Sequence, residues 1–124
     1  MATRKSQTDH NNKVKMLADH LIAHNCSNVR ADVEGYLSPL KITWTVTGRG
    51  HIPDVTAENG KPQIFEVETE DSIGDNHTED QWKIFSAHAN SNNGVFTVVV
   101  PIGCSQAAKT RLVQLNLKAE VWEV

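Results

Sequence analysis

The chain has 124 residues, 39% of them hydrophobic and 22% charged, with a formal net charge of −3. That length and composition suit one globular domain with a real core. No apolar run reaches a membrane span, and the polar opening MATRKSQTDHNN has no apolar stretch of the kind a secretory signal needs. The acidic balance argues against a protein that coats nucleic acid through basic excess. Cys26 and Cys104 match no metal or redox spacing and read as free thiols of a cytoplasmic protein.

In chain order, residues 1–8 read as a flexible, weakly basic tail and 9–124 as a single domain. Thr8 or Asp9 is placed to cap a first helix, whose stripe is Val14, Leu17, Ala18 and Leu21, and Asn25 ends it. Residues 28–36 alternate Val29, Ala31 and Val33 with polar neighbours and predict a strand. Ile42, Trp44 and Val46 alternate with threonines, which allows an extra strand broken by Gly48 and Gly50. Two strands follow at 51–58 and 63–70, joined by a turn at Asn59-Gly60. Thr78-Glu79-Asp80-Gln81 has capping-box form, so a second helix is expected from about Glu79, with Trp82, Phe85 and Ala89 inward. The unbroken apolar run 95–100 predicts a strand buried on both faces. A third helix over 105–115 and a strand over 120–124 complete the chain.

The stretch 52–70 carries the chemistry. Glu66 and Glu68 stand at i, i+2 and so share a strand face. Asp54, after Pro53, falls on the neighbouring strand of the hairpin. Three carboxylates meeting at one spot repel one another unless a proton or cation sits among them. A hard divalent cation is the usual partner of such oxygens. On this reading, Asp54→Ala should raise stability in metal-free buffer.

The order α-β-β-β-α-β-α-β, with strands alternating with helices in its second half, predicts an α/β fold: a mixed β-sheet flanked by helices. Taken with Pro53-Asp54 on one strand and Glu66-Val67-Glu68 on the next, it resembles the PD-(D/E)XK nuclease superfamily, the restriction-endonuclease-like fold that includes archaeal Holliday-junction resolvases. The resemblance spans residues 9–124. It implies a DNA-cutting enzyme that uses Mg2+ or Mn2+, with Asp54, Glu66 and the Val67 carbonyl as metal ligands. Glu68 would be a base or a ligand to a second ion, and Gln81 would match a glutamine that several branches place near the site. It also implies dimerisation. Two positions depart from the pattern. Glu68 stands where the family carries lysine, and the first helix offers Val14 and Lys15 where many members place Glu. Lys83 is a candidate for a displaced positive charge.

Each motif also has a plainer reading. The face of Ile64, Glu66, Glu68 and Glu70 suits a solvated outer strand, and Asp54 suits a turn. His20 and His24 read as exposed helix histidines without a third zinc ligand. Trp82 and Phe85 read as core, and Trp44 and Trp122 as core or interface. His51 reads as a surface histidine within reach of the acids. Three functions follow: a metal-dependent nuclease; a catalytically degenerate member of the same fold acting in binding or assembly; and an unrelated α/β protein with a Glu-rich hairpin.

Overall fold

A computed structural model describes residues 7–44 and 47–124. The chain folds as helix α1 (Gln7–Ala23), strand β1 (Ser27–Ala31), a two-residue pair β2 (Ile42–Thr43) and β3 (Gly50–His51), and strands β4 (Val55–Glu58) and β5 (Pro62–Val67). Helix α2 (Asn76–Ser91), strand β6 (Val95–Val100), helix α3 (Ser105–Leu115) and strand β7 (Glu120–Glu123) follow. The main sheet runs β1-β4-β5-β6-β7. Its first three strands are antiparallel, and β6 and β7 join in parallel through helical crossovers. Leaving the β2–β3 ribbon aside, this is the mixed α/β order expected from the sequence.

Each sheet face has its own core. Val14, Leu17, Ala18 and Leu21 of α1 cover Val55, Ala57, Phe65, Val67 and Val99. On the other face, Trp82, Phe85 and Ala89 of α2, with Ala108 and Leu112 of α3, cover Ile64, Phe96, Val98 and Val100. Strand alternation sorts β5 and β6 between these two cores. β5 is therefore the central strand of the sheet, walled in by helices above and below. No helix among the described residues is long and apolar enough to cross a membrane.

Asparagines stop the helices. Asn25, Asn93 and Asn116 hold φ of 65°, 55° and 56°. After each turn the chain bonds back, Cys26 N–H to the Leu21 carbonyl (3.0 Å), Gly94 N–H to Ala89 (2.7 Å) and Leu117 N–H to Leu112 (3.0 Å). This pattern satisfies carbonyls that a helix end leaves open. On the surface, Glu79 bridges α2 to α3, accepting from Lys83 (2.9 Å) and Arg111 (2.8 Å). Those hydrogen bonds, Lys83 first, hold its carboxyl below the usual range. Lys83, the candidate for a displaced positive charge, thus pairs with Glu79 one turn before it on α2.

Several boundaries differ from expectation. Gln7 and Thr8 belong to α1, and the rest of the expected tail lies outside the described residues. β1 ends at Ala31; the Asp32 N–H adds one last rung to the Asp54 carbonyl (2.9 Å), and the chain then turns, with the Tyr36 N–H on the Val33 carbonyl (3.3 Å). Asp54 stands one residue before β4, not within a strand over 51–58, and Gly50 and His51 pair instead with β2. α2 starts at Asn76, three residues before Glu79, because Asp75 caps it and accepts the His77 N–H at 2.7 Å. Thr78-Glu79-Asp80-Gln81 is therefore ordinary helix and not a capping box. Val46 lies outside the described residues, so the third position of the Ile42-Trp44-Val46 alternation is not among them.

Candidate functional site

Glu66 and Glu68 sit where the plain reading of a solvated strand does not allow, while Asp54 stands at a bend just before β4, as its plain reading expected. Glu66 and Glu68 are both 0% exposed and Asp54 is 7% exposed, so the Glu-bearing strand is not a solvated outer face. Glu70 alone of that row is exposed. A buried carboxylate costs stability unless hydrogen bonds or charges compensate it.

Asp54 and Glu66 meet across neighbouring strands. The Asp54 N–H donates to Glu66 Oε1 at 2.9 Å, and the Val67 N–H donates to Asp54 Oδ2 at 2.8 Å. The register explains this: Val55 faces Phe65, so Asp54 lies beside Glu66 and Val67 at the mouth of the hairpin. The first helix adds His10, whose Nε2 lies 3.2 Å from the same Asp54 Oδ2. His10 is itself buried, and its Nδ1 lies 3.3 Å from Gln7 Nε2. The first helix thus reaches Asp54 through a histidine one turn before Val14 and Lys15, the positions where the resemblance looked for an acid. Its spacing is a signal that sequence inspection missed, since His10 stands four residues before Val14 on the buried stripe.

Glu68 takes a different course. Ser72 Oγ donates to its Oε1 at 2.7 Å and Trp82 Nε1 to its Oε2 at 3.1 Å. Both Glu68 oxygens are thereby engaged, by the loop after β5 and by α2. Trp82 is core, as expected, and a buried indole N–H needs an acceptor. Ser72 gave no sequence signal. Gln81, next to Trp82, has its Oε1 buried without a hydrogen-bond donor among the described residues.

The remaining candidates separate. His51 Nε2 bonds Asp80 Oδ2 at 2.8 Å, and its ring lies edge-on to His77. Burial, with positive charge nearby including His51, holds the His77 imidazole below its ordinary value. His20 and His24 are exposed and stack on each other at 4.0 Å. Trp122 packs on Phe65 with ring centroids 5.3 Å apart, while Trp44 is exposed. Cys26 and Cys104 form no disulfide.

No family model, curated protein or solved structure matches this chain. The site is therefore read from its own atoms. Asp54 and Glu66 supply carboxylate oxygens and Val67 a peptide oxygen, the hard donors that Mg2+ or Mn2+ prefers. Among the described residues no group of three or more His, Cys, Asp and Glu side chains is placed to hold a metal. A cation here would rest on two carboxylates and a carbonyl, an open set that leaves positions for water and phosphate.

Proposed function

We propose that this chain is a divalent-metal-dependent nuclease that hydrolyses phosphodiester bonds in DNA. The placing of Asp54 beside Glu66 carries the reading: two buried acids at the mouth of one hairpin, with the Asp54 backbone N–H donating to Glu66 Oε1 at 2.9 Å. Packing alone favours apolar residues there. Asp54, Glu66 and the Val67 carbonyl would hold the ion, which when bound polarises the phosphate and lowers the pKa of a water. The protein's own part is positioning. The Val67 N–H and His10 fix the Asp54 carboxylate, and Glu68 fixes α2 through Trp82. The Gln81 amide oxygen has capacity left to accept from a bound water.

One observation favours a second reading. Glu68 spends both oxygens on Ser72 and Trp82, at the position where the resembled family carries its lysine. A member that has exchanged its lysine for a structural anchor would bind or assemble without cutting.

Incubation with supercoiled plasmid in Mg2+ or Mn2+ separates the two. The first reading expects nicking by wild type and none by the Asp54→Asn, Glu66→Gln double variant. No cutting by either, with intact folding, supports the second. Equal cutting by both identifies a contaminant and removes the first.

A further inference from the structure

Asparagine is followed by glycine twice in this chain, at Asn59-Gly60 and at Asn93-Gly94. Such a pair has a chemistry of its own. The glycine has no Cβ to hinder its peptide nitrogen, which is therefore able to swing onto the side-chain carbonyl carbon of the asparagine before it. Sequence alone gives both pairs the same prospects.

The fold treats them differently. Asn59 and Gly60 are exposed and form the turn between β4 and β5, just beyond the rung that pairs Glu58 with Pro62. Gly60 holds φ +73°, with nothing within 4 Å of the place a Cβ would take. The Asn59 N–H bonds the Lys61 carbonyl at 3.1 Å, and among the described residues no acceptor takes the Gly60 N–H. The attacking nitrogen thus has no hydrogen bond to give up, and its peptide has room to turn. Asn93-Gly94 closes α2 and leads into β6. There the Gly94 N–H donates to the Ala89 carbonyl at 2.7 Å. A Cβ on Gly94 would meet the Pro62 carbonyl oxygen at 2.6 Å, so this peptide is walled in as well as bonded. Attack at Asn93 first requires the end of α2 to open locally.

We propose that Asn59 is a modification site, where the side-chain amide is lost through a cyclic imide with Gly60, and that the fold protects Asn93 from the same reaction. Hydroxide takes the Gly60 N–H proton, and the nitrogen lone pair attacks Asn59 Cγ. The new N–Cγ bond forms as the Cγ–Nδ2 bond breaks, and the amide nitrogen leaves as ammonia with a proton from water. Water then opens the imide. Opening at the side-chain carbonyl leaves aspartate at position 59; opening at the main-chain carbonyl leaves isoaspartate, which routes the backbone through one extra carbon. In sum one water is consumed and one ammonia released, and nothing is oxidised or reduced. Each event adds one negative charge to a chain of net charge −3. The isoaspartate form also lengthens the turn of the hairpin whose mouth sets Asp54 beside Glu66.

The test is to hold the full chain at mildly alkaline pH and body temperature for several weeks. Ion exchange then separates the more acidic form, and tandem mass spectra of its fragments locate the gain of about one mass unit. Conversion is expected at Asn59, with Asn93 slower by about tenfold or more, since one hydrogen bond must open first. In guanidinium the two rates should converge, because the protection of Asn93 belongs to the fold. Asn59→Gln, whose longer side chain disfavours the ring, should remove the main acidic form. Asn59→Asp should elute with the aspartate product of the aged wild type. Three results would overturn the proposal: faster conversion at Asn93 in the folded chain, a ratio of rates unchanged by guanidinium, or a folded chain whose Asn59 stays intact while the denatured chain converts. An acidic form that accumulates equally fast in Asn59→Gln would do the same.

Discussion

Trp82 donates its indole N–H to Glu68 Oε2 at 3.1 Å beneath α2, and Ser72 Oγ donates to the opposite oxygen at 2.7 Å. All three residues are fully buried. The pairing ties the end of β5 to the loop behind it and to the helix above. Glu68→Leu would keep the volume and remove the acceptor, leaving the buried Trp82 N–H without a partner while the Ser72 hydroxyl keeps the Thr69 carbonyl at 3.1 Å. A loss of about 2 kcal/mol is expected in urea unfolding. Trp82→Phe removes one donor and should cost about 1–2 kcal/mol, with less than additive loss when combined with Glu68→Leu. A loss below about 0.5 kcal/mol in Glu68→Leu would mean that this carboxylate is not an anchor.

Asp54 gives the opposite sign to the one that self-repulsion predicts. Its Oδ2 receives the Val67 N–H at 2.8 Å and lies 3.2 Å from His10 Nε2. Asp54→Ala would strand a buried peptide donor, so stability in metal-free buffer should fall by about 2 kcal/mol. His10→Ala should show a coupling to Asp54→Ala of at least about 0.5 kcal/mol in a double-mutant cycle. Additive losses would mean that His10 does not hold Asp54.

The sheet and its helices were legible because their signals are periodic. The run 95–100 announced a strand buried on both faces, and Val14, Leu17 and Leu21 announced α1. What failed was local. Thr78-Glu79-Asp80-Gln81 looks like a capping box, but Asp75 reaches the His77 N–H first and starts the helix earlier. Asp54 and Glu66 could be paired from the hairpin register. The fate of Glu68 could not, because its partners come from a loop and from a tryptophan fourteen residues away whose inward face was evident but whose N–H had no assigned acceptor. Polar partners are chosen by tertiary geometry, which hydrophobic spacing does not encode.

Gly94 is constrained by its neighbour rather than by φ. A Cβ built there would lie 2.6 Å from the Pro62 carbonyl oxygen and 3.2 Å from Pro62 Cβ. These two residues set the approach of β6 to the start of β5, so the backbone must shift to admit a methyl group. Gly94→Ala is expected to lose about 1–3 kcal/mol by chemical denaturation. Gly60→Ala, at φ +73° with open space around its Cβ, would instead test conformational strain alone. It should cost about 1 kcal/mol.

His77 should give the folded protein a pH dependence between neutrality and mild acid. Burial is the largest cause lowering its pKa from 6.5, opposed by Asp75 and Asp80. A folded value below the unfolded one means that the unfolded chain binds the proton first as pH falls. The contribution is therefore fully present above about pH 6.5 and is lost as pH drops through the folded value. Unfolding free energy measured from pH 7.5 down to about 5 should decline less steeply in His77→Gln than in wild type. A parallel pair of curves would remove His77 from the account.

Divalent cation should stabilise wild type through Asp54 and Glu66. Two carboxylates and a carbonyl form an open site, and a ligand that binds only the folded state adds about 2.7 kcal/mol at about a hundredfold excess over Kd. Thermal unfolding in EDTA and then in rising Mg2+ or Mn2+ should show a concentration-dependent increase in Tm. Glu66→Gln, which keeps an oxygen to accept the Asp54 N–H, should retain most of the EDTA stability and lose most of that increase. Glu68→Gln should keep the increase, because its partners are Ser72 and Trp82 rather than the ion. An increase equal in wild type and Glu66→Gln would place the cation elsewhere and leave the buried pair as scaffold.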